Sequence, residues 1–251
     1  MKKFITNKYI LYLIGIIFFT FVWWLLSILI GEQTLVFPGP IITLKEVFKV
    51  LQTKYIYKCL SITFIRMLIG YGISLILAII FGTIAGNNKY IKEILKPSIV
   101  VLKAIPTAAI LFLFLVLLGA KHAPIIIVSL ISFPILYESV VGGYENIEKN
   151  IIDAMKIDGE NNIKNILRVK LPLSIPYILV GIASSFGLAF KIEIMAEVLT
   201  GDTNSGVGAA ILAAQRNDPS NMVPIFAYSF IAVSLVLLID LLMNLVKNKL
   251  R

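Results

Sequence analysis

Apolar residues are gathered into long runs along this chain, and short polar segments punctuate them. Six runs stand out, at residues 9–30, 62–86, 98–119, 124–142, 175–199 and 224–246. A helix rises about 1.5 Å per residue, so about 20 apolar residues cross a hydrocarbon layer about 30 Å thick. Each run meets that length or comes close. Backbone amides find no water inside such a layer, which makes continuous helices the spanning element for runs of this kind. The pattern predicts an all-α membrane protein with six transmembrane helices in a single transmembrane domain, residues 1–251. Only residues 120–123 separate the third and fourth runs, which predicts a tight hairpin.

Two connections are long. Residues 31–61 carry the turn signal Phe37-Pro38-Gly39-Pro40 and then an amphipathic run, with Ile42, Val47, Val50 and Leu51 near helical spacing. Residues 143–172 hold two amphipathic runs. In the first, Ile147, Ile151, Ala154, Met155 and Asp158 follow an i, i+4 pattern. Gly159 then breaks the helix, as a residue suited to the left-handed C′ position does. The second run places Ile163, Ile166 and Leu167 on one face, and Leu171-Pro172 stops it. Two short helices at an angle are expected. They serve either as interfacial helices with their apolar stripe on lipid, or as a knob offered to a soluble partner.

Composition supports the membrane reading. Hydrophobic residues make up 59% of the chain and charged residues 15%, with a mean hydropathy of +0.93. A soluble domain of this length carries about 25% charged residues. Net charge is +9, but the cations stand in short segments between apolar runs rather than on one basic face. That argues against nucleic acid as a partner and for a role in orientation. With the N-terminus in the cytoplasm, 14 Lys and Arg fall inside and six outside, which favours both termini inside a multi-pass membrane protein. Lys45, Lys49, Lys54 and Lys58 run against that bias. The first run follows Lys2, Lys3 and Lys8 but is too long for a cleaved signal segment, so it is expected to remain as a span.

Candidate chemistry is sparse. Cys59 and His122 are the only residues of their kinds, and neither G-x-x-x-x-G-K nor H-E-x-x-H occurs. The chain therefore has no ATPase site of its own, no metal cluster and no bound cofactor to expect, and it is not read as an enzyme. Glu138, Lys191, Glu193, Glu197 and Asp240 lie within or at the edges of the spans. Charges there usually face the bundle interior. Glu193 and Glu197 share a helix face at i, i+4, whereas Lys191 and Glu193 do not meet well. Either Lys191 pairs with a carboxylate of a neighbouring helix as structural glue, or Glu138, Lys191, Glu193 and Glu197 line a translocation pathway.

Residues 153–172 carry a more specific signal. Asp153-Ala154-Met155, three residues, Gly159, nine residues, and Val169-Lys170-Leu171-Pro172 resemble the cytoplasmic motif E-A-A-x3-G-x9-I-x-L-P of permease subunits of bacterial ABC importers. Asp stands for Glu, Met for the second Ala and Val for Ile. Further segments, Phe37-Pro38-Gly39-Pro40, Ser61 and Arg66 ahead of Gly70-Tyr71, Ile105-Pro106, Leu118-Gly119, Ala196-Glu197-Val198 and Gly206-Val207-Gly208, are similar to the nitrate, sulfonate and taurine branch of those permeases.

The resemblance implies a type I ABC importer permease. In that family two permease subunits, here expected as a homodimer, form the pathway. Two cytoplasmic ATPases hydrolyse ATP with Mg, and an extracytoplasmic binding protein delivers substrate. It further implies that residues 151–159 are the coupling helix, with Ile151, Asp153, Ala154, Met155, Asp158, Gly159, Leu171 and Pro172 as ATPase-coupling residues. The branch implies a small organic anion such as an aliphatic sulfonate or taurine, or nitrate. A vitamin or pyrimidine precursor is the variant, and on composition alone an ATP-independent channel or secondary transporter stays open.

Overall fold

The computed structural model describes residues 8–30, 36–157, 165–201 and 206–249. Within them the chain forms α1 (Lys8–Ile30), α2 (Pro40–Leu51), α3 (Lys54–Asn87), α4 (Lys89–Ala104), α5 (Thr107–Glu145), α6 (Lys149–Ile157), α7 (Leu171–Thr200), α8 (Val207–Asn217) and α9 (Val223–Lys249). A π-helical turn, Ile166–Lys170, runs directly into α7. No strand occurs among the described residues.

Five helical stretches are long and apolar enough to cross a membrane, at Ile10–Ile30, Lys54–Asn87, Thr107–Glu145, Ile166–Thr200 and Val223–Lys247. Six spans were expected, and the difference lies between residues 98 and 142. The third run is not one helix. Pro106 has no N–H to donate and pushes Ile105 to extended backbone, at φ −67° and ψ 127°, so α4 ends at Ala104 and α5 starts at Thr107. The expected loop at 120–123 is helical. The whole change of direction is made at Gly119, whose φ of +74° suits a residue without a Cβ. The limb 107–118 is about 18 Å long, short of a full crossing by itself.

Helix starts follow local chemistry. Asn88 caps α4, its side-chain oxygen accepting from Tyr90 N at 2.9 Å and Ile91 N at 3.3 Å. Pro172 lies in the first turn of α7, where its missing N–H is no loss. The expectation that Leu171-Pro172 stops a helix does not hold: the pair lies inside a continuous helical stretch, Ile166–Thr200, where the winding changes from π to α. The α2 helix forms as predicted with Val47 and Val50 buried, but Ile42 is on its exposed side.

Small residues set the close contacts between helices. On α3, Gly70 abuts Ile125 and Val128, Gly82 abuts Val140, and Gly86 abuts Tyr144. The second limb of α5 thus runs parallel to α3. Gly143 abuts Ser174 and Gly181 abuts Ser139, so α7 runs antiparallel to both. Gly187 abuts Asp240 of α9. Trp23 stacks on Phe226 and Phe230 with ring centroids 6.4 and 6.3 Å apart, which sets the end of α1 beside the start of α9. The end of α5, the start of α7 and the end of α9 consequently share one end of the bundle. The core is built from Met67, Tyr71, Ile127, Leu136, Phe190 and their neighbours. Outer faces stay apolar: Leu13, Phe18, Phe19 and Leu29 of α1 are 59–72% exposed. Lipid is the solvent that such a surface fits.

Candidate functional site

The end of the bundle where α5 finishes and α7 starts is built on close packing. The absent Gly143 side chain brings α5 against the backbone of Ser174, and the absent Gly86 side chain admits Tyr144, whose hydroxyl donates to Thr83 Oγ1 at 3.2 Å. Lys170, 7% exposed, donates from Nζ to Asn87 Oδ1 at 2.9 Å and so ties the start of α7 to the end of α3. Lys92 of α4 pairs with Glu145 at the end of α5, and that carboxylate raises the Lys92 ammonium above its ordinary pKa. Leu171 packs with Val140, Tyr144 and Ile178, while Pro172 is exposed.

From this base projects α6. Met155 is buried and Ile151 half-buried, whereas Asp153 and Ala154 are exposed on the other edge of the helix. The amphipathic pattern thus sorts the predicted coupling residues into an anchoring edge and a presented edge. Asp158 and Gly159 lie outside the described residues.

The opposite end carries a buried polar network centred on Glu197, which is 1% exposed. Thr63 Oγ1 lies 3.0 and 2.9 Å from the two carboxylate oxygens and donates to them. Gly208 N donates to Oε2 at 3.0 Å, and Val207 N donates to Thr63 Oγ1 at 2.9 Å. Arg66 Nη1 stands 3.6 Å from Oε1. The first amides of α8 have no partner within their own helix, and the Gly206 N-cap supplies no side chain. Glu197 and Thr63, from α7 and α3, take over as a cap delivered across the bundle. A carboxylate at that position also faces the positive end of the α8 dipole. Gly206 holds φ +104°, and a Cβ there or at Gly208 would run into Glu197.

The four expected pathway residues separate. Glu193 and Glu197 do share the buried face of α7, and Glu193 is fully buried with both oxygens outside hydrogen-bonding distance of any described group. Lys191 points the other way, into a groove between α7, α8 and α9. It makes no ion pair among the described residues. Glu138 pairs with Lys103 of α4 at 2.5 Å, with both side chains about half exposed. Thr63 and Arg66 were missed as members of the Glu197 site. The signal available was Arg66 itself, a cation inside an apolar run that needs a carboxylate.

Residues 74–251 match the model of the family described as binding-protein-dependent transport system inner membrane component. A probable ABC transporter permease of Brucella melitensis biotype 1 is 28% identical over 197 residues, covering 77% of each chain. A putative aliphatic sulfonates transport permease of Bacillus subtilis strain 168 is 26% identical over 216 residues, covering 86% of this chain and 77% of the relative. A nitrate import permease of Synechococcus elongatus is 26% identical, covering 78% of this chain and 73% of the relative. Among solved structures, an amino acid ABC transporter chain superposes with a TM-score of 0.62 at 18% identity, covering 80% of this chain and 96% of that one. The inward-facing methionine ABC transporter gives 0.59 at 18% identity, covering 78% and 94%.

Proposed function

Because the chain belongs to the family of binding-protein-dependent transport system inner membrane components, and so is a multi-pass permease subunit of an ABC transporter without an ATPase site of its own, we propose that it forms the translocation pathway of an importer for a small organic anion. The two copies of the permease work with two cytoplasmic ATPases and an external binding protein. The sulfonate and nitrate permeases among its relatives support an aliphatic sulfonate, taurine or nitrate as the solute.

One observation carries the coupling part of this reading. The opening Asp153-Ala154-Met155 of the spaced motif lies on the short helix α6, whose Asp153-Ala154 edge is exposed, and its closing Leu171-Pro172 lies in the first turn of α7, beside helix ends locked together by Gly143 and Lys170. A soluble motor that grips the exposed edge moves α5 and α7 together, because their junction does not yield. ATP binding then closes the paired ATPases, and the pathway alternates between inward-open and outward-open states. Solute shifts that equilibrium only by its differential affinity for the two.

Ala154→Arg tests the assignment. A long cation on the presented edge blocks close approach of a partner without disturbing the buried Met155 edge. The variant is expected to fold and reach the membrane, to lose co-purifying ATPase, and to lose ATP-dependent uptake by about tenfold or more. Wild-type uptake and ATPase retention in that variant would remove α6 from the coupling role.

A further inference from the structure

Lys191 is a cation in a mostly apolar setting. Its groove has a volume of about 400 Å³, and its walls include Ile194 and Met195 of α7, Ile211 of α8, and Val236 and Leu237 of α9. Ser229 adds one hydroxyl. On α9 the groove runs from Ser229 to Leu237. Counted from Val223, that is about 9 to 21 Å down the helix at 1.5 Å per residue. A cation at that depth is unfavourable unless an anionic group shares its surroundings, and no carboxylate of the described residues does so.

We infer that this groove is a binding site for a small monoanion with a short apolar body, and that Lys191 selects the transported solute by its charge. The inference rests on the importer reading above and adds the residue and the chemistry of recognition. One cation calls for one negative charge. The volume is at the lower end of small-molecule sites. The wall of Ile194, Met195 and Val236 suits an alkyl chain rather than a hydrated ion. An anionic lipid headgroup shares the charge, but headgroups lie outside the apolar layer, whereas the groove continues well down α9. An anion at that depth is one that the protein brings there.

The test is equilibrium binding of butane-1-sulfonate to the full chain in nanodiscs, read by ligand-observed NMR, with butan-1-ol as the uncharged control. Lys191→Gln is expected to weaken sulfonate binding by about tenfold or more and to leave butan-1-ol unchanged. Lys191→Arg is expected to stay within about threefold of wild type. Equal sulfonate binding by wild type and Lys191→Gln, or none by wild type, overturns the site. Sulfonate binding that appears only when phosphatidylglycerol is left out of the nanodisc assigns the groove to a lipid headgroup and overturns it as well. Loss of dimer mass in native mass spectrometry of Lys191→Gln assigns Lys191 to a carboxylate of a second copy, which likewise overturns the solute site. If Lys191-dependent binding stands while the complex assembled with its ATPases imports no anion, the importer reading falls and the site remains.

Discussion

Glu197→Ala is expected to destabilise the protein by about 3–5 kcal/mol, because it breaks the buried ion pair with Arg66 and removes the acceptor that Thr63 and Gly208 share. Hydrogen bonds in a membrane interior contribute only about 0.6 kcal/mol each on average. The Thr63 and Gly208 contacts alone therefore account for a small part, and the broken Glu197–Arg66 pair accounts for the larger one. Glu197→Gln separates the two contributions. It keeps an acceptor for Gly208 N and Thr63 Oγ1 but removes the charge, and an intermediate loss is expected. Denaturant unfolding of the full chain in detergent measures all three proteins. An alanine variant within about 1 kcal/mol of wild type would show that the Glu197–Arg66 pair does not hold α3 and α7 together.

Gly143→Leu is expected to cost about 3 kcal/mol, at the upper end for overpacking, and to stop ATP-driven uptake. A Cβ at Gly143 would lie 2.7 Å from Ser174 Cβ and 3.1 Å from both the Cα and the carbonyl oxygen of Ser174. Two of those three atoms are backbone, so the helices themselves have to part, directly beside the segment proposed to couple to the motor. Its neighbour is the control. A Cβ at Gly142 meets nothing within 4 Å, and Gly142→Leu is expected to be neutral or slightly stabilising through helix propensity. Unfolding and uptake are measured side by side on both variants, and equal behaviour of the two would mean that α5 and α7 are not in rigid contact there.

Much of the site was readable one residue at a time. The Asp153–Pro172 spacing marked the segment proposed for coupling, and the amphipathic period marked which edge of α6 buries Met155. Glu193 and Glu197 were placed together by the i, i+4 rule, which needs no tertiary information. Partners were harder, since a charge in an apolar run announces that it needs compensation without saying from where. Arg66 and Glu197 are far apart along the chain, and Thr63 with the amides of Val207 and Gly208 completes the set only after α3, α7 and α8 have packed. Lys191 and Glu138 carried the same signal as Glu197 and ended in different places, one in an apolar groove and one on a half-exposed ion pair.

The apolar runs by themselves determined that this chain is helical and crosses a membrane, because backbone amides in hydrocarbon must bond within their own segment and the length of a span follows from the helical rise. Tertiary structure decided where direction changes and which helices pair. The reversal expected over 120–123 contracts to Gly119, and Pro106 splits an apolar run that hydropathy reads as continuous. Which glycines permit close approach, and which carboxylate meets which cation, depends on atoms brought together from distant parts of the chain, and no local period records that.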